Sequence, residues 1–132
     1  MHKYSLLITE NHLDTLGHVN NATYLELYEQ ARWEMITQNG YGLEKVKESG
    51  LGPVILDLFL TFKAEIRNRE KICIETEFVE MKNSLVMTLH QRMLKPDKKI
   101  ASSLKLSVGV MDLGQRKLVR PSSEWLKAIG AP

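Results

Sequence analysis

The chain has 132 residues, 43% of them hydrophobic and 26% charged, with a net charge of +2. That is the size of one ordinary domain with enough apolar content for a core, and the expected organisation is a single domain over residues 1–132. The small charge argues against nucleic acid as a partner, and no apolar run approaches the roughly 18 to 20 residues needed to cross a bilayer. The first residues show no cleavage-site pattern, so the expected location is the cytoplasm. Cys73 is the only cysteine, which excludes an internal disulfide and a cysteine-based zinc cage.

In chain order, residues 3–9 read as a short strand and residues 10–20 as a loop rich in side chains that bond to their own backbone. From Asn21 the pattern becomes helical: Leu25, Tyr28, Ala31 and Met35 recur on one face, widened by Tyr24 and Ile36. Asn39 and Gly40 form a natural stop. Residues 41–53 read as a linker with a short helical turn. Four long segments then alternate with period two, at 54–66, 71–78, 84–94 and 98–113. Their inward sets read as Val54, Leu56, Leu58, Leu60 and Phe62; Ile72, Ile74, Thr76 and Phe78; Leu85, Met87, Leu89 and Met93; and Leu104, Leu106, Val108 and Val110. Short polar turns between them predict an antiparallel sheet. A last short helix is predicted with Ser122 as its cap and Gly130 as its stop. One long helix and one sheet each have an apolar face to cover, so the sheet is expected to curve around the helix. The surfaces left over predict a homodimer or homotetramer.

The chemistry concentrates in residues 13–32, LDTLGHVNNATYLELYEQAR. The first turn of a helix presents unpaired N–H groups and a partial positive charge, which can stabilise an oxyanion. Gly17 lets the backbone turn tightly, Asn20 or Asn21 can cap the helix, and Asp14 lies a few residues upstream. An aspartate is ordinarily ionised at neutral pH, and there it can serve as a base toward water or as a nucleophile toward a carbonyl. With no Ser-His-Asp or Cys-His set evident, the site suits a substrate whose leaving group needs little help. A thioester is such a substrate.

The run D-T-L-G-H-V-N-N-A-T-Y-L-E-L-Y-E-Q-A-R, residues 14–32, resembles the signature of the hotdog-fold acyl-CoA thioesterases of the 4-hydroxybenzoyl-CoA thioesterase-like kind. Residues 62–78 resemble the paired second and third strands of that family, and residues 117–129 its closing segment. The resemblance implies an α+β hotdog fold with a five-stranded antiparallel sheet wrapped around one long central helix. It also implies dimers that often pair into tetramers, active sites between subunits, and an acyl-CoA substrate without a cofactor. By position, Asp14 matches the catalytic aspartate, Gly17 the loop glycine, and the backbone amide near Asn21 the donor to the thioester carbonyl. His18, Asn20 and Tyr24 are expected on the substrate side, and the acyl chain among Tyr24, Tyr28 and Phe59. Many members carry a second carboxylate or a different placement, so the carry-over concerns this subgroup.

Beside these stand plainer roles. Asp14 can be a loop aspartate in an Asx-turn, His18 can merely order the loop, Asn20 and Asn21 can be caps whose backbone alone is functional, and Tyr24 and Tyr28 can be core or dimer-facing residues. Glu29 and Arg32, three apart on the helix, are expected to pair. Asp57 is expected to face solvent or an interface, and Cys73 has no histidine partner. His12 and His18 have no third ligand at a sensible spacing, so no metal is expected. Lys63, Arg67, Arg69 and Lys71 cluster around one turn, either as solvated charges or as contacts for the phosphates of coenzyme A, with Arg67 and Arg69 the candidates. The alternatives for the whole chain are a thioesterase acting on acyl carrier protein, an enoyl-thioester hydratase whose motif is not found, or a non-catalytic acyl-thioester-binding domain.

Overall fold

Asn20 opens the long helix: its side chain accepts from the Ala22 amide at 3.3 Å, and helix α1 (Asn21–Gln38) follows. It ends as its sequence predicts. Gly40 takes φ +90°, and the Tyr41 amide folds back to the Ile36 carbonyl at 2.7 Å, the closure that a left-handed glycine permits. The computed structural model describes residues 1–132. The remaining elements are strand β1 (His2–Leu7), helix α2 (Leu43–Ser49), and strands β2 (Leu51–Phe62), β3 (Lys71–Met81), β4 (Val86–Leu94), β5 (Ile100–Asp112) and β6 (Lys117–Val119), then helix α3 (Ser123–Ala128).

The main sheet runs β1-β3-β4-β5-β2, and β6 adds to β5 alone. All pairings are antiparallel. This is the expected five-strand sheet, with one three-residue strand added beyond it. The helical turn expected within 41–53 is a full helix, α2, and β2 begins at Leu51, three residues before the alternation starts to read clearly.

Helix α1 lies across the sheet, nearest β1 and β3. It buries Tyr24, Leu27, Tyr28, Ala31, Met35 and Ile36 against Ile72, Ile74, Leu89, Met93, Leu104 and Leu106. The buried stripe is rotated slightly from the one predicted: Leu27 is 1% exposed, whereas Leu25 is only half-buried and flanks the core. Helix α3 closes the far end. Its Trp125 stacks edge-on against Tyr41 with ring centroids 5.3 Å apart, and Asn39 Nδ2 donates to the Ala128 carbonyl at 2.9 Å.

Strand β2 departs from the predicted alternation. Its pairing with β5 shifts between Ile55 and Asp57, so Leu56 is an extra residue and the strand changes phase there. Before the bulge, Pro53 and Ile55 pair with Val110 and Val108; after it, Leu58, Leu60 and Phe62 pair with Leu106, Leu104 and Ser102. The inward set is therefore Pro53, Ile55, Leu58, Leu60 and Phe62, and Val54 and Leu56 leave it. Asp57 and Phe59 lie opposite Ser107 and Lys105 on the outer face, as expected for Asp57 but not for Phe59. Strand β2 is also a free edge, with Leu56, Leu58, Phe59 and Phe62 all exposed.

Candidate active site

The loop that precedes α1 is closed on itself. The Asp14 amide donates to the His18 carbonyl at 2.9 Å, and the Gly17 amide to the Asp14 carbonyl at 3.2 Å. Gly17 completes the turn at φ +86°, where a side chain is disfavoured. The loop is then tied down on two sides: the Val19 amide donates to the Ile66 carbonyl at 2.9 Å, and the Asn20 amide to the His12 carbonyl at 3.0 Å. These bonds fix where Asp14 and the helix start stand.

Asp14 does form an Asx-turn, with Oδ1 accepting from the Leu16 amide at 2.8 Å. Its other oxygen remains available, 3.3 Å from His18 Nδ1. The same Nδ1 lies 3.3 Å from the Val19 carbonyl. Of the two, the Val19 carbonyl is in hydrogen-bonding geometry and can only accept, so Nδ1 carries a proton and donates to it. The plain and the functional roles of Asp14 are thus compatible, one on each oxygen.

At the helix start, Asn20 occupies two amides, Ala22 through its side chain and Thr23 through its carbonyl. The Asn21 amide donates to no group of the chain. It is a free N–H at the positive end of an eighteen-residue helix.

These groups share one cleft of about 540 Å³, lined by Asp14, Leu16, His18, Val19, Asn20, Asn21, Tyr24, Phe62, Lys63, Ala64 and Glu65. Of the candidates from sequence, Asp14, His18, Asn20, Asn21 and Tyr24 come together here, and Gly17 shapes the turn beneath them. Tyr24 packs edge-on against Phe62, ring centroids 5.0 Å apart. Burial pushes its hydroxyl above the ordinary phenol range, helped by the nearby carboxylates of Glu65, Asp14 and Glu70, so it stays protonated and can donate.

Four other candidates from sequence lie outside this cleft. Tyr28 is fully buried with its hydroxyl donating to Ser102 Oγ at 3.0 Å, so it belongs to the core and not to a cleft. Phe59 is 70% exposed on the outer face, because the bulge at Leu56 re-phases β2; Phe62 takes the place expected of it. Arg67 and Arg69 do not line the cleft. Each is held by a carboxylate, Arg67 by Glu65 at 2.5 Å and Arg69 by Glu10 at 2.6 Å, which holds Glu65 and Glu10 below the usual carboxylate range.

Lys63 and Glu65 enter the site instead. Lys63 belongs to the basic cluster read from sequence, yet nothing in the sequence separates it from its neighbours. Its selection depends on β2 ending at Phe62 and on Glu65 and Glu10 engaging the two arginines. No group of three or more His, Cys, Asp or Glu side chains is placed to hold a metal ion.

A five-strand antiparallel sheet wrapped around one long helix is the hotdog fold, and here Asp14 and the start of that helix line one cleft. The comparison with known families agrees: a thioesterase-like superfamily model matches residues 8–129, and the chain belongs to that family. Among curated proteins, it is 21% identical over 113 residues to the long-chain acyl-CoA thioesterase FadM of Escherichia coli, covering 86% of this chain and 85% of that one. Among solved structures, the SAV2348 protein of Staphylococcus aureus in complex with CoA superposes with a TM-score of 0.88 at 13% identity, covering 96% of this chain and 80% of that one. The DHNA-CoA thioesterase of the same organism superposes with a TM-score of 0.84 at 18% identity, covering 96% and 87%. At such identities the superpositions establish the fold.

Proposed function

We propose that this protein hydrolyses acyl-CoA thioesters to a free acid and CoA. The reading rests on one observation above the others: Asp14 and Asn21, whose amide has no acceptor in the chain, line the same cleft. The thioester carbonyl oxygen accepts from the Asn21 N–H, and the helix end stabilises the charge that gathers there as the carbonyl carbon becomes tetrahedral. Asp14 takes a proton from water, whose oxygen forms the new C–O bond; the C–S bond then breaks and the thiolate of CoA leaves and is protonated. The Leu16 amide holds one oxygen of this carboxylate, and the His18 ring stands beside the other. Lys63 lines the cleft without a carboxylate partner, and in this reading it meets a phosphate of CoA. Membership of the thioesterase-like family and the CoA bound to the SAV2348 protein support the substrate class.

The working unit in this reading is a homodimer or a larger even assembly. Strand β2 offers a free edge with four large apolar side chains exposed, and such edges are pairing surfaces unless blocked. A thiol-trapping assay over short, long and aromatic acyl-CoAs tests the activity, and the same acyl groups on acyl carrier protein test the carrier. The Asp14→Asn variant keeps shape and removes the base, with an expected fall in kcat of about 100- to 10,000-fold. Wild-type rates in that variant would overturn the role of Asp14.

A further inference from the structure

Helix α1 and strand β2 contribute to the walls of more than one cavity. Further along the helix lies a second cavity of about 290 Å³, walled chiefly by Trp33, Ile36, Pro53, Ile55, Val108 and Trp125. One wall residue is out of character with these: Arg32. The expected pairing with Glu29 does not form, since no carboxylate comes within ion-pair distance of Arg32 and its only side-chain partner is neutral, the Gln91 Oε1 at 2.8 Å.

Gln91 is itself a fixed piece. It is fully buried, and its amide nitrogen donates to the Tyr28 carbonyl at 3.1 Å and to Thr76 Oγ1 at 2.9 Å. Both amide hydrogens are thereby used, so its oxygen must face Arg32. A guanidinium has five N–H donors, and this network takes one. Burial pushes the Arg32 guanidinium below the usual arginine range, with only the more distant Glu29 working the other way. Arg32 is half-buried, and drawing a cation even partly out of water against apolar walls is costly without a compensating acceptor. The chain keeps it there on a rigid mount with donors to spare.

We propose that Arg32 recognises an uncharged oxygen, hydroxyl or oxo, carried on the distal part of the acyl group. This rests on the reading of the first cleft as the thioester site. Arg32 follows Asn21 by eleven positions on α1, or three turns, and so lies nearly in line with it, about 16 Å further along at 1.5 Å per residue. The arginine side chain leans back toward the helix start by a few ångströms. An extended chain advancing roughly 1.25 Å per carbon, from tetrahedral bonds near 1.5 Å, reaches it in about ten carbons. By chain position, Leu25 on the helix and Leu58 and Leu60 on the inward face of the strand fall between the two ends, and the proposal takes the acyl chain along them. Glu29 in the same wall opposes a second negative charge, which selects a neutral oxygen over a carboxylate.

The test compares plain, ω-hydroxylated and ω-carboxylated acyl-CoAs of roughly eight to fourteen carbons, the span that the helix rise allows. The readout is the ratio of kcat/KM for hydroxylated over plain chains on each enzyme, so that a general loss of activity cancels. A hydrogen bond from a charged donor predicts a ratio of about tenfold to a hundredfold at the best length. It should fall to near one in Arg32→Met and survive in part in Arg32→Lys. Calorimetric binding of the matching free acids reads the same ratio without turnover, which separates a failure of Arg32 from a failure of hydrolysis. A ratio near one at every length, a ratio unchanged in Arg32→Met, or a preference for the carboxylated chain would overturn the proposal.

Discussion

Replacing Asn21 by proline deletes a single backbone hydrogen from the place where the oxyanion is proposed to form. The substitution is unusually clean because of where Asn21 stands. It is the first residue of α1, the helical position at which proline is tolerated and even favoured. Its N–H has no acceptor in the chain, so no internal hydrogen bond is lost. Asn20 before it sits at φ −62°, ψ 139°, within the extended region to which a following proline restricts a residue. The fold should therefore hold or gain slightly, by about 0.4–1 kcal/mol from the stiffened unfolded chain. Catalysis should fall by about 100- to 1,000-fold in kcat, the usual loss of one oxyanion donor, or about 2.7–4 kcal/mol. KM should move little, since a ground-state carbonyl is a weaker acceptor than the oxyanion. Asn21→Ala keeps the amide and removes the side chain, and it should retain most of the activity. Steady-state thiol release, with thermal melts on the same samples, gives all four numbers. A proline variant that folds and turns over within about threefold of wild type would refute the assignment, because a donor worth 2.7 kcal/mol cannot vanish unnoticed.

Gly17→Ala forces a Cβ onto a φ of +86° with no atom within 4 Å to clash, so its cost is conformational only, about 1–2 kcal/mol, and chemical denaturation should show it. Single-turnover hydrolysis in ¹⁸O water followed by mass spectrometry should leave Asp14 unlabelled; label in that carboxylate would mean that it attacks the carbonyl itself. Phe59→Glu, on the exposed outer face of β2, should shift the oligomer toward monomer in light scattering, and an unchanged mass would exclude that face of β2 as the contact. Arg69 holds Glu10 below the usual carboxylate range. A depressed folded-state pKa stabilises above the unfolded value of about 4.3 and is lost as pH falls through the folded one. The melting difference between wild type and Arg69→Ala should therefore be small at neutral pH, because the pair is exposed, and should disappear at pH values well below 4.

Much of this architecture is legible from local pattern. Helix α1 announces itself through its cap at Asn20, its stripe and the Asn39-Gly40 stop, because each is a property of neighbouring residues. The strands β3, β4 and β5 read correctly for the same reason. The inward phase of β2 does not. Val54, Leu56, Leu58, Leu60 and Phe62 form an unbroken alternation, and only the pairing with β5 reveals that Leu56 is surplus. The site divides likewise. Asp14, Gly17, His18, Asn20 and Asn21 are contiguous and carry a motif, so they could be found together. Lys63 and Glu65 reach the cleft through the path of β2. The release of Arg32 from Glu29 depends on Gln91, 59 positions away, which no helical spacing rule can see.

The surplus residue in β2 also bears on how this groove could be remodelled. Leu56 alone is unpaired, so removing it would leave Ile55, Asp57 and Leu58 in plain alternation opposite Val108, Ser107 and Leu106, and both halves of β2 would keep their faces. Removing a paired residue while keeping Leu56 would instead carry Pro53 and Ile55 out of the arginine-bearing cavity, or Phe62 away from Tyr24. Grafting a relative's second strand onto this scaffold thus demands the same number of paired residues on each side of the kink, and a segment that keeps the kink but lacks one of them would dismantle one end of the groove while preserving the other.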